Sequence, residues 1–402
     1  MTTVASPATV TTADIPNLDP VPTFTPIAEP GPGGLPLIQL PSGHSAVHLT
    51  RYADVHKLLT DPTSGRTETN VEGGPSFLPT VMPKELLLNL DAPHHARVRN
   101  FVTADYSVAG VERLRPVLDR VIDEGIARLR AAQAPDLFAD LVDRVPVTVN
   151  CHFLGVPLED VAYFRPSSRV VQIASHENVP DLVQHFYRVY GYVQELVTGA
   201  RPVLAGGLIE KFRSERDRAE PPLEEAELTG LFFGSLLGAD QNIVSVLTKS
   251  LYVLLSAPAL WRRLAEEPEI APQLAEELIR LIPLGNISAF PRIAGRDLET
   301  GVGLVPKGTV VYPDAFAANR DPEVFPDPLT IDPDRQPAKR HLQFGYGMHH
   351  CMGSALARME IVAVLTRLAR EFPTLALATD PASVPWDDGT VLRRPTALPV
   401  RW

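Results

Sequence analysis

Residues 231–256 constrain the fold more than any other stretch. Leu231, Phe232, Phe233, Leu236, Leu237, Ile243, Val244, Val246, Leu247, Leu251, Val253 and Leu254 leave almost no polar face, so a helix here must be enclosed on all sides. Helical throughout, the segment spans roughly 40 Å at 1.5 Å per residue, enough to cross a whole domain. A chain of 402 residues can surround it, as one large domain or two to three smaller ones at about 150 residues each. Asp240, Gln241 and Asn242 interrupt the apolar run. A carboxylate and two amides in the middle of a buried helix must pair with one another or line a cavity.

The rest of the chain supplies mostly helical partners. Val111, Leu114, Val117, Leu118, Val121, Ile122, Ile126 and Leu129 recur at three/four spacing, which predicts a helix within 107–133. Further helices are expected over 137–154, 158–173, 180–200 and 222–256, twice within 258–283, and from about 352 to 371, ending before Pro373. Thr50 is placed to cap a helix through Leu59. Leu37–Leu40 and Ala46–Leu49 flank the turn Pro41-Ser42-Gly43, and apolar alternation within 287–311 adds a small sheet. The predicted class is mainly α with a small β region. Residues 1–30, rich in Ser, Thr and Pro, read as a mobile N-terminal arm, and 31–402 as the folded unit. The stretch from Arg66 to Pro83 has turn residues and no period, and a loop of that length in a compact domain is often functional. No internal repeat is visible.

Charge and cysteine content narrow the function. Lys and Arg number 37 against 48 Asp and Glu, a formal charge of −11, which repels phosphate backbones and argues against a nucleic-acid role. Two cysteines, Cys151 and Cys351, cannot make a disulfide framework and sit in no CxxC pair, which fits a reducing compartment. The N-terminus lacks a basic region followed by an apolar one, and no run of about 18 apolar residues is free of charge. The expectation is a cytoplasmic protein without a membrane span.

The strongest chemical signal is Phe344-Gly345-Tyr346-Gly347-Met348-His349-His350-Cys351-Met352-Gly353, followed at once by an amphipathic helix carrying Ala357, Ile361, Val364, Leu365 and Leu368. Glycines around a cysteine let backbone N–H groups approach the sulfur, and a helix N-terminus favours a thiolate over a thiol. Such a thiolate serves as a nucleophile, as one ligand of a zinc site, or as the axial ligand of haem iron. Adjacent His349, His350 and Cys351 have the wrong spacing for a tetrahedral zinc clamp. A cysteine nucleophile requires a distant His and Asn pair. Taken alone, a Gly-rich turn before a helix with one buried Cys is common; the full spacing is not.

The pattern FxxGxxxCxG resembles the haem-ligand signature of the cytochrome P450 family, and other motifs follow in the family's order over residues 30–402. Glu277-Leu278-Ile279-Arg280 resembles its ExxR pattern, with Arg335 as third member of an ion network. Asp91 to Arg99 resembles the stretch whose His and second Arg contact a haem propionate. Pro291-Arg292-Ile293-Ala294 carries the Arg for the other propionate, and Ala318-Asn319-Arg320-Asp321-Pro322 resembles the segment before the cysteine loop. The resemblance implies a single-domain fold holding haem b. Cys351 is then the iron ligand, with His95, Arg99, Arg292, His349, Phe344, Gly345 and Gly353 at the cofactor. Independently of the family, a buried dicarboxylate needs cationic donors, and Arg offers a planar fork for each carboxylate. Glu277 and Arg280 are read as structural.

In most of the family the central helix carries an acid followed by Thr, which together relay protons towards the site of oxygen activation. The aligned stretch here is Leu237-Gly238-Ala239-Asp240-Gln241-Asn242, with Gln241 in the Thr position. An amide orients water or substrate but does not pass a proton as a hydroxyl does. Asp240, Gln241 and Asn242 are the catalytic candidates. By resemblance, the loop 66–86, residues 172–178, Gly238, the segment Asn286 to Phe290 with Ser288 and Ala289, and Thr390-Val391 face substrate. Their mixed apolar and polar character suits an aromatic ligand with several hydrogen-bonding positions. The chain is similar to soluble actinobacterial members of the family, and more weakly to those that tailor or couple tryptophan-containing cyclic dipeptides. Aromatic coupling joins two rings without inserting oxygen. The alternatives are a hydroxylase of a macrolide or similar metabolite, and a haem-containing ligand-binding protein without turnover. Neither a GxGxxG turn nor cluster-binding cysteines are present, so ferredoxin and ferredoxin reductase are the expected electron donors to a monomer that takes O2 and a small molecule. Lys339, Arg340, Arg358, Arg97 and Arg113 form the expected basic docking face.

Overall fold

The computed structural model describes residues 9–19, 24–76, 81–171, 179–336 and 341–402. Its helices are α1 (Tyr52–Thr60), α2 (His94–Val102), α3 (Val108–Glu112), α4 (Arg115–Ala131), α5 (Val145–Leu154), α6 (Val161–Val170) and α7 (Val179–Thr198), then α8 (Leu208–Glu215), α9 (Glu225–Ala239), α10 (Gln241–Ser256), α11 (Pro258–Glu266), α12 (Ala271–Leu281), α13 (Ala315–Ala318) and α14 (Ser354–Glu371). The strands are β1 (Val10–Thr11), β2 (Thr25–Ile27), β3 (Leu37–Gln39), β4 (Ser45–Leu49), β5 (Arg292–Ile293), β6 (Leu298–Thr300), β7 (Gly303–Val305), β8 (Val310–Pro313), β9 (Thr330–Ile331), β10 (Ala376–Leu377), β11 (Trp386–Asp387), β12 (Arg394–Pro395) and β13 (Val400–Arg401).

The main core is helical. Buried apolar residues of α4, α5, α7, α9, α10, α12 and α14 form one continuous cluster, with Leu251, Val253 and Leu254 inaccessible at its centre. By length and composition Glu225–Ser256 would pass as a membrane span, yet 67% of its most apolar window is buried inside the fold, as expected of a core helix. Beside it lies a five-stranded sheet of order β2-β3-β4-β8-β5. β4 and β8 run parallel with Val47 opposite Val311, and the other neighbours are antiparallel. Val47, Leu49, Val55, Leu58 and Val311 close a second core under this sheet.

The structure corrects several sequence expectations. The central helix is two helices, because Asp240 (φ −88°, ψ −82°) leaves the helical region and ends α9 where α10 begins. Apolar periodicity continues across the break, so periodicity alone did not reveal it. The helix expected over 107–133 is likewise two, with Pro116 near the start of α4, where its missing N–H is harmless. Arg51, not Thr50, occupies the N-cap of α1 and makes no side-chain cap bond. Parts of the expected N-terminal arm belong to the fold. β1 pairs with β9, β2 is an edge of the main sheet, Ile15 and Leu18 are buried, and the Tyr252 hydroxyl donates to the Pro16 carbonyl at 2.8 Å. Residues 172–178, expected to face substrate, lie outside the described residues.

Candidate active site

Cys351 sits at the end of a turn tightened by its own backbone. Its N–H donates to the Phe344 carbonyl at 2.7 Å, and the Gly345 N–H donates to Leu342 at 2.9 Å. Gly345 and Gly347 have φ of +67° and +66°, and a Cβ at Gly347 would meet the Leu59 carbonyl oxygen at 2.4 Å, so glycine is required there. Burial pushes the thiol's pKa up, while the Gly353 N–H and the Arg99 and Arg358 charges pull it down. Yet Cys351 is exposed. A sulfur both deep among protein atoms and accessible faces an interior space, not bulk water. Gly238, in the last turn of α9, is also exposed although its helix is mostly buried, and a Cβ there would meet nothing within 4 Å.

The polar side chains around this space lack partners in a consistent way. Buried His95 Nδ1, Arg292 Nε and His349 Nε2 have no hydrogen-bond acceptor or donor. The His95 and His349 rings lie 4.5 Å apart, and His349 Nε2 stands 3.9 Å from Asp91, beyond hydrogen-bond reach. Burial, then the Arg99 charge, lowers the His95 pKa to about 4. Burial lowers that of His349 to about 3 against the pull of Asp91. Burial lowers Arg292 to about 10, with Asp91 opposing. Unpaired buried donors are costly, and here two of them, on His95 and His349, adjoin one another, with His349 just before the exposed cysteine in the turn. A haem would supply two carboxylates for these donors and an iron for the sulfur, so the residues present fit it. Among the described residues no three His, Cys, Asp or Glu side chains converge as a metal cluster, which leaves Cys351 without the co-ligands that zinc requires.

Two of the three catalytic candidates, Asp240 and Gln241, lie in one hydrogen-bond network. Arg165 of α6 grips Asp240 through Nε and Nη2, both at 2.9 Å, and also donates to both carboxylate oxygens of Asp143 at 3.0 Å. Gln241 Nε2 donates to Asp240 Oδ2 at 2.8 Å, and Gln241 Oε1 accepts from Arg394 of β12 at 2.8 Å. The Gln241 amide is thus held at both ends. Asn242 is half-buried.

The substrate-facing candidates divide. Phe290 is half-buried, with the Arg66 guanidinium 4.4 Å from its ring centroid. Ala289 packs against the small cluster around Ile38 and Tyr312, and the Val391 carbonyl accepts from the Asn286 N–H at 2.7 Å. Ser288 differs from expectation. Its hydroxyl contacts Tyr312 Oη at 2.9 Å and Asp314 at 3.1 Å and accepts from the Ala315 N–H at 3.0 Å, so it is already engaged within the fold. The loop after Arg66 is closed by Asn70, whose side chain bonds both the N–H and the carbonyl of Met82 at 2.9 Å.

The expected basic docking face is also corrected. Arg97 pairs with buried Glu227, Arg358 pairs with Glu276, and Arg113 donates to the Gly206 carbonyl. Lys339 and Arg340 lie outside the described residues. By contrast, the structural triad forms as expected. Glu277 accepts from Arg280 at 2.8 and 2.9 Å and from Arg335 at 2.9 Å.

Sequence reasoning missed two residues. Arg66 is a buried guanidinium whose Nε has no partner; it opens the loop 66–86 expected to face substrate, but nothing in the sequence singled it out within that loop. Glu360 of α14 is inaccessible and neither carboxylate oxygen has a partner. Burial, reinforced by the Asp240 charge, raises its pKa well above the usual carboxylate range. Its signal was available, because Glu360 interrupts the apolar face of Ala357, Ile361 and Val364.

The comparisons agree with this geometry. The cytochrome P450 family model matches residues 206–397. Nocardicin C N-oxygenase of Nocardia uniformis subsp. tsuyamanensis is 36% identical over 91% of this chain and 92% of its own length. Mycinamicin IV hydroxylase/epoxidase of Micromonospora griseorubida is 33% identical over 91% of each. A crystal structure of a P450 with biaryl coupling reactivity superimposes with a TM-score of 0.84 at 31% identity, covering 89% of this chain and 91% of that one. With the cysteine turn, the unpaired donors about it and the broken central helix all present, the chain belongs to the cytochrome P450 family and is an oxidoreductase.

Proposed function

We propose that the protein oxidises or oxidatively couples an aromatic, amide-containing metabolite, such as a tryptophan-containing diketopiperazine. Haem b is the cofactor in this reading, and electrons come from a ferredoxin and its reductase to a cytoplasmic monomer. Thiolate-ligated haem supplies O2 activation, because the sulfur pushes electron density towards the iron and favours O–O cleavage. Arg99, Arg292, His95 and His349 would hold its carboxylates, and Cys351 its iron.

The observation that carries the substrate class is the commitment of Gln241. Its amide bridges Asp240 and Arg394, so the helix break offers no side-chain hydroxyl where most of the family has one. A substrate bearing its own amide and indole N–H groups brings polar hydrogens to that position. Burial, with the Asp240 charge adding to it, raises the Glu360 pKa well above the usual carboxylate range and so favours its protonated form beside that position. The second reading, insertion of oxygen into a macrolide or related scaffold, is favoured by the likeness to an N-oxygenase and to a hydroxylase/epoxidase, both of which insert oxygen.

The test is an absorption spectrum of the purified protein, reduced under carbon monoxide, then titration with tryptophan-containing cyclic dipeptides and mass analysis of the products. A strongly red-shifted band that Cys351→Ala abolishes is expected, together with a spin-state shift and a product that has lost hydrogen. Gln241→Ala is expected to change the yield of product per NADPH while leaving haem content intact. A product carrying added oxygen overturns coupling, and a chain that responds to no cyclic dipeptide overturns the substrate class.

A further inference from the structure

Arg66 is a buried cation that neither the family motifs nor the network around Asp240 uses. Its position is fixed by backbone geometry on both sides. Gly65 N–H donates to the Ile293 carbonyl and Ile293 N–H to the Gly65 carbonyl, each at 3.0 Å, so Arg66 and Arg292 flank an antiparallel bridge. Asp91 accepts the Arg66 N–H at 2.9 Å and the Thr67 N–H at 2.9 Å. This approach is so close that a Cβ at Gly65 would lie 2.9 Å from the Asp91 carboxylate.

Asp91 is therefore occupied by backbone N–H groups, and the Arg66 guanidinium has no carboxylate of its own. It lies over the Phe290 ring at 4.4 Å, where an aromatic face supports a cation without discharging it. Arg66, Arg99 and Arg292 are three guanidiniums around the interior space, and no side-chain hydrogen bond from any of them is found among the described residues. Asp91 is the one carboxylate whose charge acts on both Arg66 and Arg292. Three cations against one carboxylate leave an excess of two, which a dicarboxylate ligand cancels and a monocarboxylate does not.

We infer that Arg66 is a third cationic anchor for the cofactor's carboxylates, sharing with Arg292 the propionate on its side and stacked on Phe290 at the boundary with the substrate chamber. This rests on the haem assignment, whose own failure would show separately as wild-type protein that binds no haem. Without Arg66 the loaded site carries a net negative charge, which loosens the cofactor and favours the ferric over the ferrous state.

The experiment compares wild-type holoenzyme with Arg66→Met, Arg66→Gln and Arg66→Lys, measuring haem transfer to apomyoglobin and the haem reduction potential. Losing a charged hydrogen bond is expected to speed haem release in the two neutral variants by about tenfold or more, with their potentials shifted negative. Arg66→Lys is expected to keep the wild-type potential while releasing haem faster, because an ammonium keeps the charge but not the fork. If Arg66→Met does not accumulate as folded protein, Arg66→Gln decides. A neutral variant with wild-type haem release and potential overturns the inference, as does one in which only substrate affinity changes.

Discussion

Single residues show most clearly what this site demands of its surroundings. Glu360 is a carboxyl with no hydrogen-bond partner among the described residues, enclosed in the fold by α14 and its neighbours, and that burial favours its protonated form. Its effect on stability has a definite sign. A carboxyl whose folded pKa is raised binds its proton more tightly in the native state. Its contribution is therefore complete below the unfolded pKa and is lost as pH rises through the folded value. Glu360→Gln removes that dependence. The stability of Glu360→Gln relative to wild type is expected to grow steadily as pH rises from about 5 to 8, read from denaturant unfolding of the holoenzymes at each pH. A difference independent of pH would show that Glu360 is already charged in the folded protein. This residue also marks what was legible in sequence. Cys351 was legible from the glycine spacing around it, and Glu277 and Arg280 from their resemblance to the family's ExxR pattern. Glu360 was visible only as a polar interruption of an apolar stripe, and Arg66 not at all, since its burial comes from pairing across the chain.

At the scale of elements, α12 and α14 hold opposite electrostatic cases side by side. Glu276 of α12 is nearly as buried as Glu360 but fully partnered. It accepts from His341 at 3.0 Å and from Arg358 at 2.5 and 3.0 Å. Burial would raise its pKa, but the bonds from His341 and Arg358 outweigh that and hold it at about 2. A depressed carboxyl stabilises the fold above its unfolded pKa and loses that contribution as pH falls through the folded value. The bonds from His341 and Arg358 therefore contribute stability that is present at neutral pH and lost in acid. Glu276→Gln should therefore cost most at neutral pH, and its deficit should shrink as pH falls from about 5 towards 3. A deficit constant across that window would assign the loss to packing instead. This pair also fixes what the elements do for function. Arg358 lies over the Phe344 ring at 4.6 Å, so the α12–α14 contact supports the start of the cysteine turn. The helices themselves were largely legible from three/four spacing, whereas the breaks at Asp240 and before Pro116 were not. Both halves of each broken helix keep the same apolar face towards the core, so the pattern carries no mark of the interruption.

Across the whole molecule, the cysteine turn is held by a chain of bonds that begins far from it in sequence. Glu277 pairs with both Arg280 and Arg335, and Arg280 donates onward to the carbonyls of Asn319, Pro328 and Thr330 at 2.8, 2.7 and 3.1 Å. Asn319 Oδ1 then accepts the Leu342 N–H at 2.6 Å, two residues before Phe344 opens the turn. One carboxylate thus supports the segment that delivers Cys351. Replacing it by Gln keeps the shape but leaves two buried guanidiniums without a counter-charge, and breaking a buried pair in this way costs about 3–5 kcal/mol. Against a total stability of about 5–15 kcal/mol, that is a large fraction. Glu277→Gln is expected to lower the melting temperature by roughly 4–6 °C and to reduce the yield of haem-loaded protein. The fraction that does fold should show the same reduced carbon monoxide band and the same turnover per haem as wild type, because Glu277 reaches neither sulfur nor substrate. Equal melting temperatures would remove the network from the account of how the turn is held. Normal stability with lost turnover would make Glu277 part of the chemistry, contrary to its position 2.8–2.9 Å from two arginines that face the core.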